Sequence, residues 1–384
     1  MAIEPTVVRS GEYRKQPLGY SAFVPAALPP DPGITFDGEL VQLLARAERE
    51  IGRLDGATVS MPNPDMFVFM YVRKEAVLSS QIEGTQSSLS DILEAEASIH
   101  NPNHPQDVDE VSNYVGALNF GLAHMSQNPL SVDLLLLLHK KLMEGTAMGG
   151  KDAGTIRVVQ NWIGKRGSTI DDAIYVPPPP SHVQVCLYEL ESFIRSKSEI
   201  PDLVKVGLAH AQFESIHPFL DGNGRVGRLL VSLAFREFGV MRHPLLYLSA
   251  FFRENRTEYY ARLQGTRDRG DWESWLKFFL RGVGEVAEEA GRTAKAILNL
   301  RESHRELIRQ ETGKGAVSAL ELLDTLYYRP FVTVQSASEI VGLTFAATNR
   351  LIGRLVELKV LTPTSERARN RAFCYKPLLA LFES

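Results

Sequence analysis

The sequence predicts a mainly α-helical protein with one small β-hairpin and a separate C-terminal domain. Three observations predict this fold class. Apolar residues recur at helical spacing in successive segments from position 39 to about position 309. A stretch rich in glycine and proline, residues 149–182, interrupts the helical pattern and contains short β-like pieces. The last segment, residues 316–384, contains three short helical patterns followed by a hairpin-like one.

Length and composition exclude several classes of protein. The 384 residues favour more than one domain, and the net charge of −4 gives no general attraction to nucleic acid or to anionic membranes. Cys186 and Cys374 lie too far apart in sequence to indicate a disulfide framework or a zinc site. The N-terminus lacks the features of a signal peptide, and the apolar run Leu134–Leu138 is too short to cross a bilayer. We therefore expect a cytoplasmic protein without a membrane partner.

The stretch Ser215–Arg228 joins two helical patterns through a predicted turn. The break at His217-Pro218 and the triplet Gly222-Asn223-Gly224 are typical of a tight turn that leads into a helix. The first amides of a helix are unpaired and carry partial positive charge, and glycines let the backbone approach a phosphate closely. The turn therefore predicts an anion site.

The side chains around this turn add chemistry to the anion site. Asp221 supplies a hard oxygen ligand suited to Mg²⁺, and His217 is a base that titrates near neutral pH. Arg225 and Arg228 are three residues apart and share one helix face. A calcium loop is the alternative, but it needs carboxylates where the two arginines stand. The combination indicates a nucleotide phosphate site.

The segment from His217 to Arg228 resembles the signature of the Fic family, H-x-F-x-[DE]-G-N-[GK]-R-x-x-R, without a mismatch. Most members of that family transfer AMP from ATP to a protein hydroxyl. The resemblance implies that His217 deprotonates a Ser, Thr or Tyr hydroxyl and that Asp221 holds Mg²⁺. It also implies that six residues of the signature bind ATP: Gly222, Asn223, Gly224, Arg225, Gly227 and Arg228.

Upstream of the signature, the sequence predicts an extended N-terminal arm over residues 1–35 and two helices. The second helix ends at Ser79–Thr85, where Gly84 is a typical helix stop. Taken alone, this segment is only a helix end. It also resembles the Fic inhibitory pattern [ST]-x-x-x-E-[GN] through Ser79, Glu83 and Gly84. The resemblance implies that Glu83 pairs with Arg228 and keeps this arginine from the γ-phosphate.

Two helices, residues 107–123 and 130–143, lead to the glycine- and proline-rich stretch. His139 lies among leucines in the second of them, and we expect it to be a packed or surface histidine rather than a catalytic one. The β-like pieces Ile156–Val159 and Ile170–Val176 flank a polar turn and predict a hairpin. This hairpin could be a connector. The Fic resemblance instead implies a flap, residues 154–180, that docks the target protein.

Downstream of the signature, a helix from Phe252 to Thr266 contains adjacent aromatic residues. Such residues usually pack in a core, but the resemblance places an adenine pocket in this helix. Tyr259, Tyr260 and Leu263 are therefore candidates to contact the base of ATP. A long helix from Trp272 to about Arg309 follows.

The C-terminal segment resembles a winged helix-turn-helix domain. Its helical patterns run over Val317–Tyr328, Ser336–Val341 and Thr344–Leu358, and the hairpin-like segment is Leu361–Tyr375. Its recognition helix would carry Thr348, Asn349, Arg350 and Arg354, and its wing would carry Arg367, Arg369 and Arg371. Such domains bind DNA or serve in protein docking and dimerisation. DNA binding and a homodimer both stay open.

The sequence thus predicts four regions: residues 1–125 with the inhibitory helix, the catalytic core 126–285, a linker helix 286–315 and the winged-helix-like domain 316–384. The predicted function is an ATP-dependent protein adenylyltransferase that Glu83 holds inactive. Two alternatives stay open. One is a DNA-binding regulator that senses nucleotides through the same core. The other is a Fic enzyme that removes AMP or transfers a different phosphate-containing group.

Overall fold

A computed structural model describes residues 7–59, 63–99, 105–146, 150–165, 167–364 and 371–383. The mainly helical prediction is confirmed. The elements in chain order are β1 (Val7–Val8), β2 (Gly11–Lys15), β3 (Ser21–Pro25), α1 (Gly38–Val59), α2 (Asp65–Glu83), α3 (Leu89–Glu96), α4 (Val108–His124), α5 (Val132–Leu142), α6 (Pro180–Arg195), α7 (Asp202–Ile216), α8 (Asn223–Glu237), α9 (Ser249–Glu254), α10 (Arg256–Arg269), α11 (Trp272–Glu311), α12 (Ala316–Leu326), β4 (Phe331–Thr333), α13 (Val334–Val341), α14 (Phe345–Glu357), β5 (Thr362–Pro363), β6 (Ala372–Cys374) and α15 (Lys376–Glu383).

The N-terminal arm is a small antiparallel sheet with strand order β1-β2-β3, rather than a simple extended segment. Phe23 of β3 is buried, and its N–H donates to the Val176 carbonyl at 2.9 Å. The Gln212 side chain of α7 donates to the Ala26 carbonyl at 2.7 Å. These long-range contacts explain the sheet, because strands this short need support from the rest of the protein.

Helix α7 is the centre of the fold. Its residues 203–216 are all buried, and it packs against α6, α8, α10 and α11. Gly207 allows α11 to approach, since a Cβ there would lie 3.0 Å from carbons of Leu276 and Phe279. The Trp275 indole N–H donates to the Gly207 carbonyl at 2.8 Å. This packing fixes the C-terminal end of α7, where the signature begins.

Helix α11 connects the core to the C-terminal segment. It runs for 40 residues without interruption, through the predicted boundary between residues 285 and 286. It packs along α1 in its first part and against α12 and α15 in its last. Among the described helices, none combines the length and the apolar character that crossing a bilayer requires.

The C-terminal segment contains α12 to α14 and a three-stranded antiparallel sheet with strand order β4-β6-β5. The three predicted helices and the pairing of β5 with β6 are present, and the winged-helix interpretation stays a prediction. The sequence did not indicate α15, which returns to pack on α11. Two aromatic pairs join this segment to α2, Tyr328 with Phe69 and Phe382 with Tyr71.

The stretch around residues 150–180 forms a smaller hairpin than predicted. Among the described residues its β-pairing is a single antiparallel bridge, Ile163 to Tyr175. The segments 156–159 and 170–176, predicted as β-like, do not form strands, and Ile170–Asp172 is a 3₁₀ turn. The physical reason lies at Arg157, whose N–H donates to the Pro218 carbonyl at 3.0 Å. The backbone there pairs with the His-Pro turn instead of the other half of the hairpin.

Candidate active site

The turn between α7 and α8 is built by three residues of the signature. His217 ends α7 in the left-handed region, with φ 49° and ψ 61°, and Gly222 precedes α8 with φ 77°. The Asn223 side chain closes the turn: its Oδ1 accepts from the Phe219 N–H and its Nδ2 donates to the Phe219 carbonyl, both at 2.8 Å. The predicted turn is therefore present, and it directs the unpaired first amides of α8 toward one place.

His217 is half-buried, and its ring is neutral at physiological pH. Desolvation, together with the positive charges of Arg267 and Arg157, lowers the pKa of His217 to about 3. Its Nδ1 is buried and has no hydrogen-bond partner among the described residues. A neutral imidazole is the form that can accept a proton, so the protonation state suits a base.

Arg157 fastens the hairpin to the His-Pro turn, a role that the sequence did not indicate. Its Nε donates to the His217 carbonyl at 2.9 Å and its NH2 donates to the Pro178 carbonyl at 2.6 Å. Burial lowers the pKa of this guanidinium to about 10. The Asn161 side chain adds a bond to the Phe219 carbonyl at 2.8 Å. Hairpin and turn thus form one unit.

His139 supports the same turn from α5. Its ring stacks on Phe219 with centroids 3.8 Å apart, and Nδ1 accepts from the Gly154 N–H at 2.9 Å. The other nitrogen therefore carries the proton and donates to the Asp221 carbonyl at 3.1 Å. Burial lowers the pKa of His139 to about 4, so the ring is neutral. Of the two places expected for His139, packed or at the surface, the structure has the packed one, and the ring also orients the backbone at Asp221.

Asp221 and Arg225 form the open edge of the site. The Asp221 carboxylate is partly exposed and lies 3.5 Å from the Arg225 guanidinium, which also contacts Glu110 of α4 at 3.1 Å. Within the described residues no group of three or more His, Cys, Asp or Glu side chains is arranged to hold a metal ion. One accessible carboxylate beside the unpaired first amides of α8 nevertheless fits Mg²⁺, which can take its remaining ligands from phosphates and water.

The end of α2 covers Arg228. The Glu83 Oε1 and the Arg228 NH2 lie 2.6 Å apart, and Arg228 also donates to the Ser79 hydroxyl at 2.7 Å and the Ser79 carbonyl at 2.9 Å. Burial alone would lower the pKa of Arg228, but the Glu83 charge raises it above its usual range. Gly84 then ends α2 with φ 110°. A Cβ on Gly224 would clash with the Glu83 carboxylate, so the glycine permits this approach.

The three residues assigned to the adenine pocket differ in exposure. Tyr259 and Leu263 are buried, whereas Tyr260 is 42% exposed. The Tyr259 ring stacks on Phe252, and its hydroxyl is 2.8 Å from the His210 Nε2. Burial raises the pKa of Tyr260, and the nearby Glu83 raises it further. The adenine assignment stays a prediction, and Tyr260 is the member whose side chain is accessible.

The basic residues predicted for DNA contact are partly engaged within the protein. Arg354 forms ion pairs at 2.9 Å with Glu311 and with Glu357, and Arg371 donates to the Asn349 side chain at 2.6 Å. Thr348 is buried, and Arg350 is exposed. Arg367 and Arg369 lie outside the described residues. DNA binding therefore stays a prediction.

Fold and site together define a helical protein in which the end of an upstream helix, α2, covers Arg228 just after the turn between α7 and α8. Residues 41–123 match the family model described as Fic/DOC family N-terminal, and residues 129–235 match the Fic/DOC family model. The chain belongs to the Fic/DOC family.

Curated relatives carry the name protein adenylyltransferase. Protein adenylyltransferase fic-1 of Caenorhabditis elegans is 30% identical over 173 residues, which cover 44% of this chain and 30% of the relative. A probable protein adenylyltransferase of Aquifex aeolicus (strain VF5), aq_aa38, is 37% identical over 90 residues, covering 22% of this chain and 28% of the relative. The chain therefore spans about 30% of the length of these two relatives.

Solved structures show the same fold. A Fic family protein from Desulfovibrio desulfuricans G20 superposes with a TM-score of 0.60 at 21% identity, covering 89% of this chain and 97% of that one. Residues 134–508 of Fic-1 from C. elegans superpose with a TM-score of 0.52 at 22% identity, covering 68% of this chain and 74% of that one.

Proposed function

We propose that the chain is a cytoplasmic, ATP-dependent protein adenylyltransferase that transfers AMP to a Ser, Thr or Tyr hydroxyl of a target protein or of itself. One observation carries the proposal. A neutral His217, the accessible Asp221 carboxylate, the first amides of α8 and Arg228 meet at one turn. The names of the relatives support the same activity.

In this mechanism His217 accepts the proton of the target hydroxyl. The hydroxyl oxygen then attacks the α-phosphorus of ATP, a P–O bond forms, and pyrophosphate leaves with the electrons of the broken bond. The amides of Gly222 to Gly224 stabilise the charge that develops on the phosphate oxygens. Arg225 and Arg228 hold the β/γ end of the nucleotide. Asp221 would hold Mg²⁺, and the ion supplies neutralisation of phosphate charge when bound.

Glu83 inhibits this reaction in the proposal. The Glu83 carboxylate forms an ion pair with Arg228, the arginine that the γ-phosphate requires, and its negative charge repels the triphosphate. Displacement of the end of α2 by ATP or by a partner would free Arg228, which makes the ion pair a switch between two states.

The target protein would dock on the flap, residues 154–180. Val158 and Ile174, on the two halves of this segment, are 87% and 63% exposed. Apolar side chains this accessible are available to contact a target segment. Because Arg157 ties the flap to the backbone of His217, a docked hydroxyl would be held at a fixed place relative to the base.

Mass spectrometry after incubation with ATP and Mg²⁺ tests the proposal. We expect a mass gain of one AMP unit on the chain or on a target protein, and no gain with His217→Ala. If no AMP is incorporated and pre-adenylylated target loses AMP instead, the chain catalyses the reverse reaction. If neither occurs but ATP changes the affinity of the full-length protein for DNA, the nucleotide-sensing regulator is correct.

A further inference from the structure

A second carboxyl group lies beside Arg228, and the proposed mechanism does not use it. Glu214 stands on the last turn of α7, and the residue is 6% exposed. Its Oε1 is buried and has no hydrogen-bond partner among the described residues. A Cβ on Gly227 would clash with this oxygen, as a Cβ on Gly224 would clash with Glu83. Glu214 and Glu83 therefore lie one helical turn apart along the N-terminal part of α8.

Neither neighbouring arginine neutralises the Glu214 side chain through direct contact. Arg228 bonds Ser79 and Glu83, and Arg267 donates to the Glu214 backbone carbonyl at 3.0 Å. The groups that face Glu214 are Arg228 from α8, Glu83 from α2, and Arg267, Tyr259 and Tyr260 from α10. Burial raises the pKa of Glu214, the charges of Arg228 and Arg267 oppose the rise, and the Glu83 charge adds to it. The resulting pKa is about 7.

ATP in the proposed site would place several negative charges where Glu83 now lies. A buried, ionised carboxylate next to them would oppose binding, because like charges repel strongly where water is excluded. A protonated carboxyl group has no charge and offers an O–H donor. The orphaned Glu214 oxygen lies against Gly227 of α8. The charge of Arg228, which the proposed function assigns to the β/γ end of ATP, acts on the same carboxyl group.

We propose that Glu214 is a nucleotide-binding residue that acts in its protonated form and donates a hydrogen bond to the polyphosphate chain of ATP. This inference rests on the proposed function and extends it, since Glu214 belongs neither to the signature nor to the inhibitory pattern. The proton comes from solvent when ATP binds to protein in which Glu214 is ionised. Binding is therefore strongest below the pKa of the free Glu214 carboxyl and weakens as the pH rises through it.

Isothermal titration calorimetry with Mg·ATP tests this inference in the double variant Glu83→Gly/His217→Ala, which exposes the site without consuming ATP. Titrations in two buffers of different ionisation enthalpy, from pH 6.5 to pH 8.5, give the affinity and the number of protons taken up. The same titrations in this background with Glu214→Gln supply the matched control, because glutamine keeps a donor and has no ionisable group.

With Glu214 present, we expect uptake approaching one proton per ATP at the alkaline end. The affinity for ATP should fall there by about tenfold per pH unit relative to the glutamine variant, because binding would require the uptake of one proton. With Glu214→Gln, the additional proton uptake and the additional pH dependence should both disappear. Glu214→Ala lacks the donor and should bind roughly two- to tenfold more weakly than Glu214→Gln at pH 6.5. Thermal unfolding of each variant checks that the fold is retained.

Equal proton uptake and equal pH profiles with Glu214 and with glutamine would overturn the inference. Equal affinity of the alanine and glutamine variants would also overturn it, because no hydrogen bond would then reach the nucleotide. Failure of the proposed function has a different signature: the Glu83→Gly single variant would incorporate no AMP in the mass-spectrometric assay, whatever the titrations show. Absence of ATP binding to the double variant at every pH would overturn this inference.

Discussion

Replacing Glu83 by glycine removes the carboxylate that holds Arg228, and the structure predicts how much activity this releases. A hydrogen bond between charged groups contributes about 1.5–3 kcal/mol. The Arg228 side chain is 2% exposed but the Glu83 side chain is 37% exposed, so solvent screening favours the lower end of that range. About 1.5 kcal/mol corresponds to about a tenfold larger population of protein with Arg228 free for phosphate.

The initial rate of AMP incorporation from labelled ATP measures this effect. We expect Glu83→Gly to raise self-modification by about tenfold at ATP concentrations below saturation. A matched control exists in the Arg73–Glu96 pair, which lies outside the signature. The Arg73 Nε and the Glu96 Oε2 are 2.7 Å apart, and the Glu96 side chain is 32% exposed. Glu96 is the last residue of α3, just as Glu83 is the last residue of α2. Glu96→Gly should leave the rate unchanged.

Two further variants separate inhibition from catalysis. Glu83→Gly should give no activation when it is combined with His217→Ala, since no base remains to take the hydroxyl proton. Arg228→Ala should lower activity even when Glu83 is absent, because this arginine binds phosphate in its own right. Autoinhibition would be refuted if Glu83→Gly and the wild-type chain modified themselves and the target protein at equal rates. Ser79–Gly84 would then be only a helix end.

Three other predictions concern the base, the flap and the C-terminal segment. In the Glu83→Gly background, His217→Ala should lower AMP transfer by about 10²–10⁴-fold while calorimetry shows unchanged ATP binding, because the phosphate cradle is separate from the base. Arg157→Gln removes a positive charge near His217 and a hydrogen bond to the His217 carbonyl, so the pKa of His217 should rise and kcat should fall without a change in KM for ATP. Arg157→Lys should partly restore kcat. An unchanged pH–rate profile in Arg157→Gln would contradict the charge effect. If Arg350 contacts DNA phosphates, full-length protein should bind duplex DNA with a strong salt dependence that Arg350→Ala weakens, and absence of binding at low salt would favour protein docking.

The sequence predicted best those features that depend on neighbouring residues. Many of the helices followed from apolar spacing. Helix α2 begins directly after Pro64 and ends directly before Gly84, and Ser131 caps the start of α5. The turn at residues 217–223 followed from its glycines and its His-Pro break, since proline restricts the backbone and glycine permits the left-handed conformation that Gly222 adopts. Helix α6 was missed because its first residue, Pro180, belongs to a proline run, although proline fits the first turn of a helix.

Residues that reach the site from distant segments were not predictable in this way. Arg157 contacts the His217 carbonyl across 60 positions, and Glu110 contacts Arg225 across 115. Each stands in a local pattern that looks like an ordinary surface, so periodicity and motif spacing gave no signal. Glu83 was found from the sequence only through its resemblance to a family pattern. Its position against Arg228, 145 residues away, depends on the packing of α2 on α8.

The site uses the same physical features for inhibition and for substrate binding, if Glu83 acts as proposed. Arg228 and the partial positive charge at the start of α8 attract any anion, and the Glu83 carboxylate now occupies that position. A change that weakens the hold on Glu83 by altering Arg228 would weaken ATP binding as well. Selective activation therefore has to act on α2 itself, by moving Ser79 and Glu83 away while Arg228 stays in place.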